Sequence, residues 1–283
     1  MREARPQTMV ESEDETGSGS VETGSPGTRL SAQEIYDNVR LAAEEEMRRP
    51  AVALLWSSLA AGLTIGFSFL AAAYLTMFVP ERFANAAAAV GYPLGFMFVV
   101  LARNQLFTEN TLEPIIPLLH APGWRKLRDL SSLWITVLFG NLVGTLIFGW
   151  LTASTSLLND DFKMALLKLA THATSDGFWM VSFRAIFAGW LIALMAWLIA
   201  STRSTTAQLC LVWLTTAPIS AFGFRHSIAG SAEAFYRAAV GDASWVRMIG
   251  AFIVPAILGN IVGGILLVAL LNHGQVAAGQ SRD

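Results

Sequence analysis

The sequence predicts an all-α membrane protein with six transmembrane helices, arranged as two inverted three-helix halves whose second and fifth helices are broken. Three observations carry that expectation. The 283 residues have a mean hydropathy of +0.50, with 54% hydrophobic and only 14% charged residues. A soluble domain carries about 25% charged residues, so much of this surface faces something other than water. Long apolar segments recur at the length of about 20 residues that a bilayer core demands. Finally, two polar features repeat at one spacing along the chain.

Residues 1–28 consist mostly of Glu, Ser, Gly and Thr, a composition that buries too little surface to offset ordering, so they read as a disordered acidic tail. Ser31 to Glu34 has the spacing of a capping box and opens an amphipathic lead-in helix over 31–49. Ile35, Val39, Ala42 and Met47 lie on one side, which suits the membrane surface, the bundle or a solvated lead-in. The channel domain is expected over 51–271, followed by a tail over 272–283. Its spans read as Ala51–Phe78, Ala84–Leu119, Ser131–Leu151, Gly177–Ala200, Thr206–Ala239 and Arg247–Leu271. The first apolar segment lies too deep for a cleavable signal peptide. Cys210, the lone cysteine, sits in an apolar run and reads as a small buried hydrophobe. Arg and Lys near the span ends number 8 on the N-terminal side and 5 opposite, which puts both termini in the cytoplasm.

The second and fifth segments are too long for one span and too polar at their middles. The second holds Arg103, Asn104, Gln105, Thr108, Glu109 and Asn110, then Pro114 and Pro117; the fifth holds Pro218, Gly223, Arg225, His226 and Glu233. Each reads as two half-helices joined by an unwound turn, because irregular backbone at membrane depth survives only where protein or a water-filled cavity covers it. Gly140-Asn141-Leu142-Val143-Gly144 recurs as Gly259-Asn260-Ile261-Val262-Gly263. The asparagines are 119 residues apart, and Thr108 and His226 are 118 apart. With three spans per half, the second half enters from the other face, and interrupted helices at matching positions point to a transport site. Gly144 and Gly263 read as helix-packing residues. Asn141 and Asn260 need partners in the membrane and read as supports for the unwound turns, with a share in lining the pore.

Half-helices starting near Glu109 and Ser227 would aim positive ends inward, which favours an anion or a neutral solute over a cation. His226 is the one histidine in an expected span, and ionisable groups there are functional by default. Its ordinary pKa, near 6.5, permits proton exchange with a weak acid. Thr108 can bond His226, a solute or its own turn. Tyr92, Phe96, Leu106 and Phe107 are candidates for apolar constriction, and Ile219 for the second turn; packing against helices or lipid is the alternative for each. Arg103, Arg184 and Arg225 are expected to pair with Glu109, Glu113 and Glu233, because an unpaired charge there is costly.

These residues resemble the formate/nitrite transporter family over about Ser31 to Leu271. Leu106-Phe107-Thr108-Glu109-Asn110 is similar to its first turn, Phe224-Arg225-His226-Ser227-Ile228-Ala229 to its second, and the two G-N-x-V-G segments to its own pair. The resemblance implies an aquaporin-like protomer, a homopentamer with one pore per subunit, and passage of small monovalent anions such as formate, nitrite or hydrosulfide. It places the family's central histidine at His226, the facing threonine at Thr108 and the pore asparagine at Asn260. Two departures mark a divergent branch, closer to an uncharacterised inner-membrane member than to the formate channels. Arg225 stands where the family has glutamate. The family's lysine before the fourth span falls at Ala173, with Lys168 nearest upstream and Arg103 and Arg225 the cations available to replace it.

The expected function is therefore a multi-pass channel or transporter of a bacterial inner membrane, moving a small weak-acid anion and a proton through a lipid bilayer. An aquaporin-like facilitator of a neutral solute is the rival. No nucleophile elbow, phosphate loop or metal-ligand cluster suggests an enzyme, no cofactor is expected, and no basic block suggests nucleic acid.

Overall fold

The computed structural model describes residues 30–280, all of it helix and connecting turn, so the expected acidic tail lies outside the described residues. The lead-in helix α1 (Ala32–Glu46) opens on the expected capping box. Ser31 Oγ accepts the Glu34 N–H, and the Glu34 carboxylate accepts the Ser31 N–H. That bond to the Ser31 backbone holds the Glu34 carboxyl below its ordinary value. Its contribution is therefore complete above the unfolded pKa of about 4.3 and fades as pH falls through the lowered value. Replacing Ser31 with alanine should cost about 1 kcal/mol, read as faster amide exchange in the first turn of α1 alone. The helix packs on the bundle through Tyr36, Val39 and Ala43, while Ala42 is exposed, one position off the face expected from sequence.

Among the described residues, five helices are long and apolar enough to cross a membrane. They are α2 (Ala51–Thr76), Glu81–Leu101, α6 (Trp124–Ser154), α8 (Phe178–Ile199) and the C-terminal helix Trp245–Gly279. Glu81–Leu101 contains α3 (Ala84–Gly91) and α4 (Pro93–Leu101), jointed where Pro93 withholds an N–H. After α4 the expected second half-helix is largely absent: a single 3₁₀ turn over Glu109–Thr111 leads to the six-residue α5 (Ile115–His120). Pro114 and Pro117 lack the donors a longer helix there would need. The fifth segment divides as expected, into α9 (Thr205–Ala221) and α10 (Ser227–Ala239). Between α6 and α8, α7 (Asp160–Ala173) covers one face of the bundle, and the C-terminal helix runs on through the expected tail to Gln280. His120, His172 and His273, expected in loops, all lie in helices; His273 Nδ1 meets Tyr36 Oη at 2.7 Å.

Two helix pairs form the frame, α2 on α6 and α8 on the C-terminal helix, and the same device builds both. A Cβ added to Gly62 would sit 2.3 Å from the Asn141 carbonyl oxygen, and one on Gly189 would sit 2.3 Å from that of Asn260. Gly144 and Gly263 press as closely on Leu59 and Ile186. Only a missing side chain lets the backbones approach so far. Trp56, Tyr74, Ile135, Trp150, Trp179 and Phe183 are exposed around the outside, a burden a water-facing surface does not carry. Cys210 is exposed on this outer face rather than buried.

Candidate pore centre and its vestibule

Both breaks begin with the same chain reversal. Arg103 after α4 and Gly223 after α9 take positive φ values of 52° and 66°. The next N–H groups, of Asn104 and Phe224, return to Val99 and Ile219 five residues back. This is the Schellman ending, in which a left-handed residue lets the chain leave the helix with its last carbonyls satisfied. Glycine takes that conformation freely; at Arg103 a side chain takes it at a cost of roughly 1–2 kcal/mol.

Asn141 and Asn260 then hold the turns open. Asn141 Oδ1 accepts the Phe107 N–H at 2.8 Å, and its Nδ2 donates to the carbonyls of Ser58 at 2.8 Å and Gln105 at 2.9 Å. Asn260 Oδ1 accepts the Ser227 N–H at 2.8 Å, and its Nδ2 donates to Ala185 at 2.8 Å and Arg225 at 3.0 Å. Each amide thereby ties a broken segment to the helix that begins its half, and both are fully buried. Backbone bonds at the two breaks correspond at a spacing of 120 residues: Gln105 with Arg225, Phe107 with Ser227. By that register the counterpart of His226 is Leu106, and Thr108 stands two residues beyond it.

Thr108 and His226 nevertheless meet. Thr108 Oγ1 lies 2.8 Å from His226 Nε2, with both side chains buried. His226 caps α10, its Nδ1 accepting the Ala229 N–H at 3.0 Å. A ring nitrogen that accepts carries no proton, so in the neutral ring Nε2 bears it and donates to Thr108 Oγ1. The Thr108 hydroxyl hydrogen is then free for another acceptor. Phe96 stands edge-on to the imidazole, ring centres 5.0 Å apart, and Tyr92 tilts on Phe96 at 5.4 Å. Leu106, Phe107 and Ile219 are fully buried beside them.

A cavity of about 210 Å³ leads from the α7 face to His226. Tyr92, Arg184, Phe224, Arg225 and Glu233 line it, as do His172 and Ala173. The expected Arg–Glu pairs do not form. Asp176, in the turn before α8, takes both arginines on one oxygen: Arg225 Nη2 at 2.7 Å and Nε at 3.0 Å, Arg184 Nη1 at 2.9 Å. Asp176 went unnoticed in the sequence because Ser-Asp-Gly before a helix reads as an ordinary turn, and nothing local links it to Arg225, 49 residues on. Ala173, where the resemblance expects a lysine, does line this cavity, whereas Lys168 pairs with Glu81 on the exposed surface. Arg103 is exposed and makes no ion pair among the described residues. Glu109 keeps one buried carboxylate oxygen without a hydrogen-bond partner, as Ser227 does its hydroxyl. No metal-binding group of His, Cys, Asp or Glu occurs among the described residues.

Residues 33–274 match the family described as formate/nitrite transporter. The inner membrane protein YfdC of Escherichia coli (strain K12) is 33% identical over 270 residues, which covers 94% of this chain and 86% of YfdC. The formate channel FocA of Escherichia coli (strain K12) is 29% identical over 238 residues, 75% of this chain and 82% of FocA. Among solved structures, a pentameric formate channel with formate bound shares the fold. It aligns with a TM-score of 0.68 at 23% identity, covering 81% of this chain and 98% of that one.

Proposed function

This chain belongs to the formate/nitrite transporter family, and from that membership we propose that it passes small monovalent weak-acid anions of the formate or nitrite kind across a bacterial inner membrane. One observation carries the reading: the Thr108–His226 bond lies buried where the two breaks meet, beneath a cavity that offers two arginines. An anion is drawn toward Arg184 and Arg225, which outnumber the one carboxylate they share. A bare anion beyond that point faces the apolar ring of Phe96 and the buried side chains of Leu106 and Phe107, where its desolvation is prohibitive. Uptake of a proton removes the charge, and the neutral acid meets the Nε2–H and hydroxyl of the central pair. Proton exchange at His226 itself requires Nδ1 to be protonated, which opens the Ala229 cap bond.

The matched turns, amides and glycines support an inverted aquaporin-like repeat of six spans over 51–271, the broken fifth counted as one, with 31–49 as lead-in. The exposed apolar sides and the pentameric neighbour support a homopentamer with one pore per subunit. The charge bias supports cytoplasmic termini, which puts the cavity mouth on the outer face.

Currents and uptake in proteoliposomes, with formate, nitrite and acetate at two pH values, test the proposal. The wild type should carry at least one of these anions, faster at the lower pH. Replacing His226 with alanine should cut the flux about a hundredfold, the scale of a lost proton-handling or charge-stabilising contact. Flux of a neutral solute without any anion flux would instead identify a facilitator, and wild-type anion flux in the His226→Ala protein would remove the histidine from the mechanism.

A further inference from the structure

Glu233 is the one carboxyl group among the residues that line the vestibule, and no partner among the described residues explains it. Glu233 is only 6% exposed and makes no hydrogen bond or ion pair among the described residues. It lies seven positions after His226 on α10, and two helical turns put both on the same face, where they line the same cavity. A carboxylate at membrane depth without a partner is costly, and such residues mark proton and ion paths. Arg225 acts on it electrostatically, although that arginine's own hydrogen bonds go to Asp176 and the His172 carbonyl.

We propose that Glu233 supplies the proton that a weak-acid anion takes up in this vestibule before it passes His226. The inference rests on the weak-acid reading above and names its proton source. The O–H bond of the Glu233 carboxyl breaks and a new O–H bond forms on the anion. The neutral acid moves on, the Glu233 carboxylate remains, and cavity water reprotonates it from the open face. Charge accounting favours this order. With Glu233 neutral, Arg184, Arg225 and Asp176 leave one net positive charge to attract the anion. After the transfer the Glu233 carboxylate takes the anion's place beside Arg225, so the cavity charge does not change during the step. His226 is poorly arranged for the same task, since its Nδ1 is committed to the Ala229 N–H.

The other ionisable groups facing Glu233 are Tyr92, His172 and His226 on the cavity wall. Arg237, one turn along α10, is paired with Asp242. Lys163 and Lys168 of α7 are engaged by Thr155 and Glu81. In α2 the single ionisable side chain, Tyr74, is exposed, and α6 carries its charges in its first turns at the far end. The C-terminal helix offers none over Met248–Gly264.

The test uses full-length protein in proteoliposomes loaded with a pH dye, with formate as the probe. Wild type should acidify the lumen with formate entry. Glu233→Gln should lose that coupled acidification about a hundredfold and flatten its pH dependence, with Glu233→Asp restoring most of both. A Glu233→Gln protein with wild-type coupling and pH profile overturns the proposal, as does wild-type formate flux that moves no proton. Absence of any anion flux in the wild type would overturn the weak-acid reading along with it. If Glu233→Gln fails to assemble, wild-type protein treated with a hydrophobic carbodiimide, which attacks protonated carboxyls, decides the matter. Modification mapped to Glu233, slowed by formate and matched by lost flux, supports the proposal; an unmodified Glu233, or modification without lost flux, overturns it.

Discussion

Replacing Asn260 with alanine is expected to destabilise the protein by roughly 3–5 kcal/mol, the sum of several buried backbone groups left without partners. The Ser227 N–H and the Arg225 carbonyl belong to an unwound turn at membrane depth, where no neighbouring peptide replaces the lost amide. The Ala185 carbonyl loses its tie to the same turn. Asn141→Ala should behave alike through Phe107, Ser58 and Gln105. Aspartate is the sharper probe: it keeps the acceptor that serves Ser227 but loses both donations, and it adds a buried charge. Thermal unfolding of detergent-purified protein measures the loss. Equal midpoints for wild type and Asn260→Ala would refute the role given to the amide, which is to hold the break open rather than to touch the solute.

Gly263→Val is expected to be as damaging by a different route. A Cβ there would stand 2.0 Å from the Ile186 carbonyl oxygen and 2.8 Å from the Trp190 nitrogen, both backbone atoms of α8. Overpacking ordinarily costs about 1–3 kcal/mol because side chains yield, and here none is available to yield. The helices must part, and Asn260, three residues earlier on the same helix, is carried away from Arg225 and Ser227. The expected result is a collapse in yield of monodisperse protein; Gly274→Val, where a Cβ meets nothing within 4 Å, is the control that should leave yield unchanged. Normal yield of Gly263→Val would mean the C-terminal helix is not seated on α8 as described.

Most of the frame was legible because the bilayer imposes strong local rules. Apolar length marked the five long helices found among the described residues, and clustered polar residues marked both breaks. The small-residue segments around Asn141 and Asn260 announced close helix packing. The partner glycines on α2 and α8, Gly62 and Gly189, were less visible, since neither sits in a repeated motif. The repeat itself was read through Asn141 and Asn260, 119 residues apart, and through Thr108 and His226, 118 apart, whereas corresponding backbone bonds at the breaks lie 120 apart. The side-chain spacing was close enough to suggest the symmetry and wrong in register.

What the sequence determined by itself, then, was the class of molecule and the residues at its centre, because hydropathy and helix interruption are properties of neighbours along the chain. Only the tertiary structure decided how the charges pair. Arg184 and Arg225 were expected to find glutamates, and instead share Asp176 from a turn that reads as plain connection. That choice depends on which side chains reach one cavity in space, a relation no local pattern encodes. It leaves Glu233 in the same cavity, buried and without a hydrogen-bond partner among the described residues.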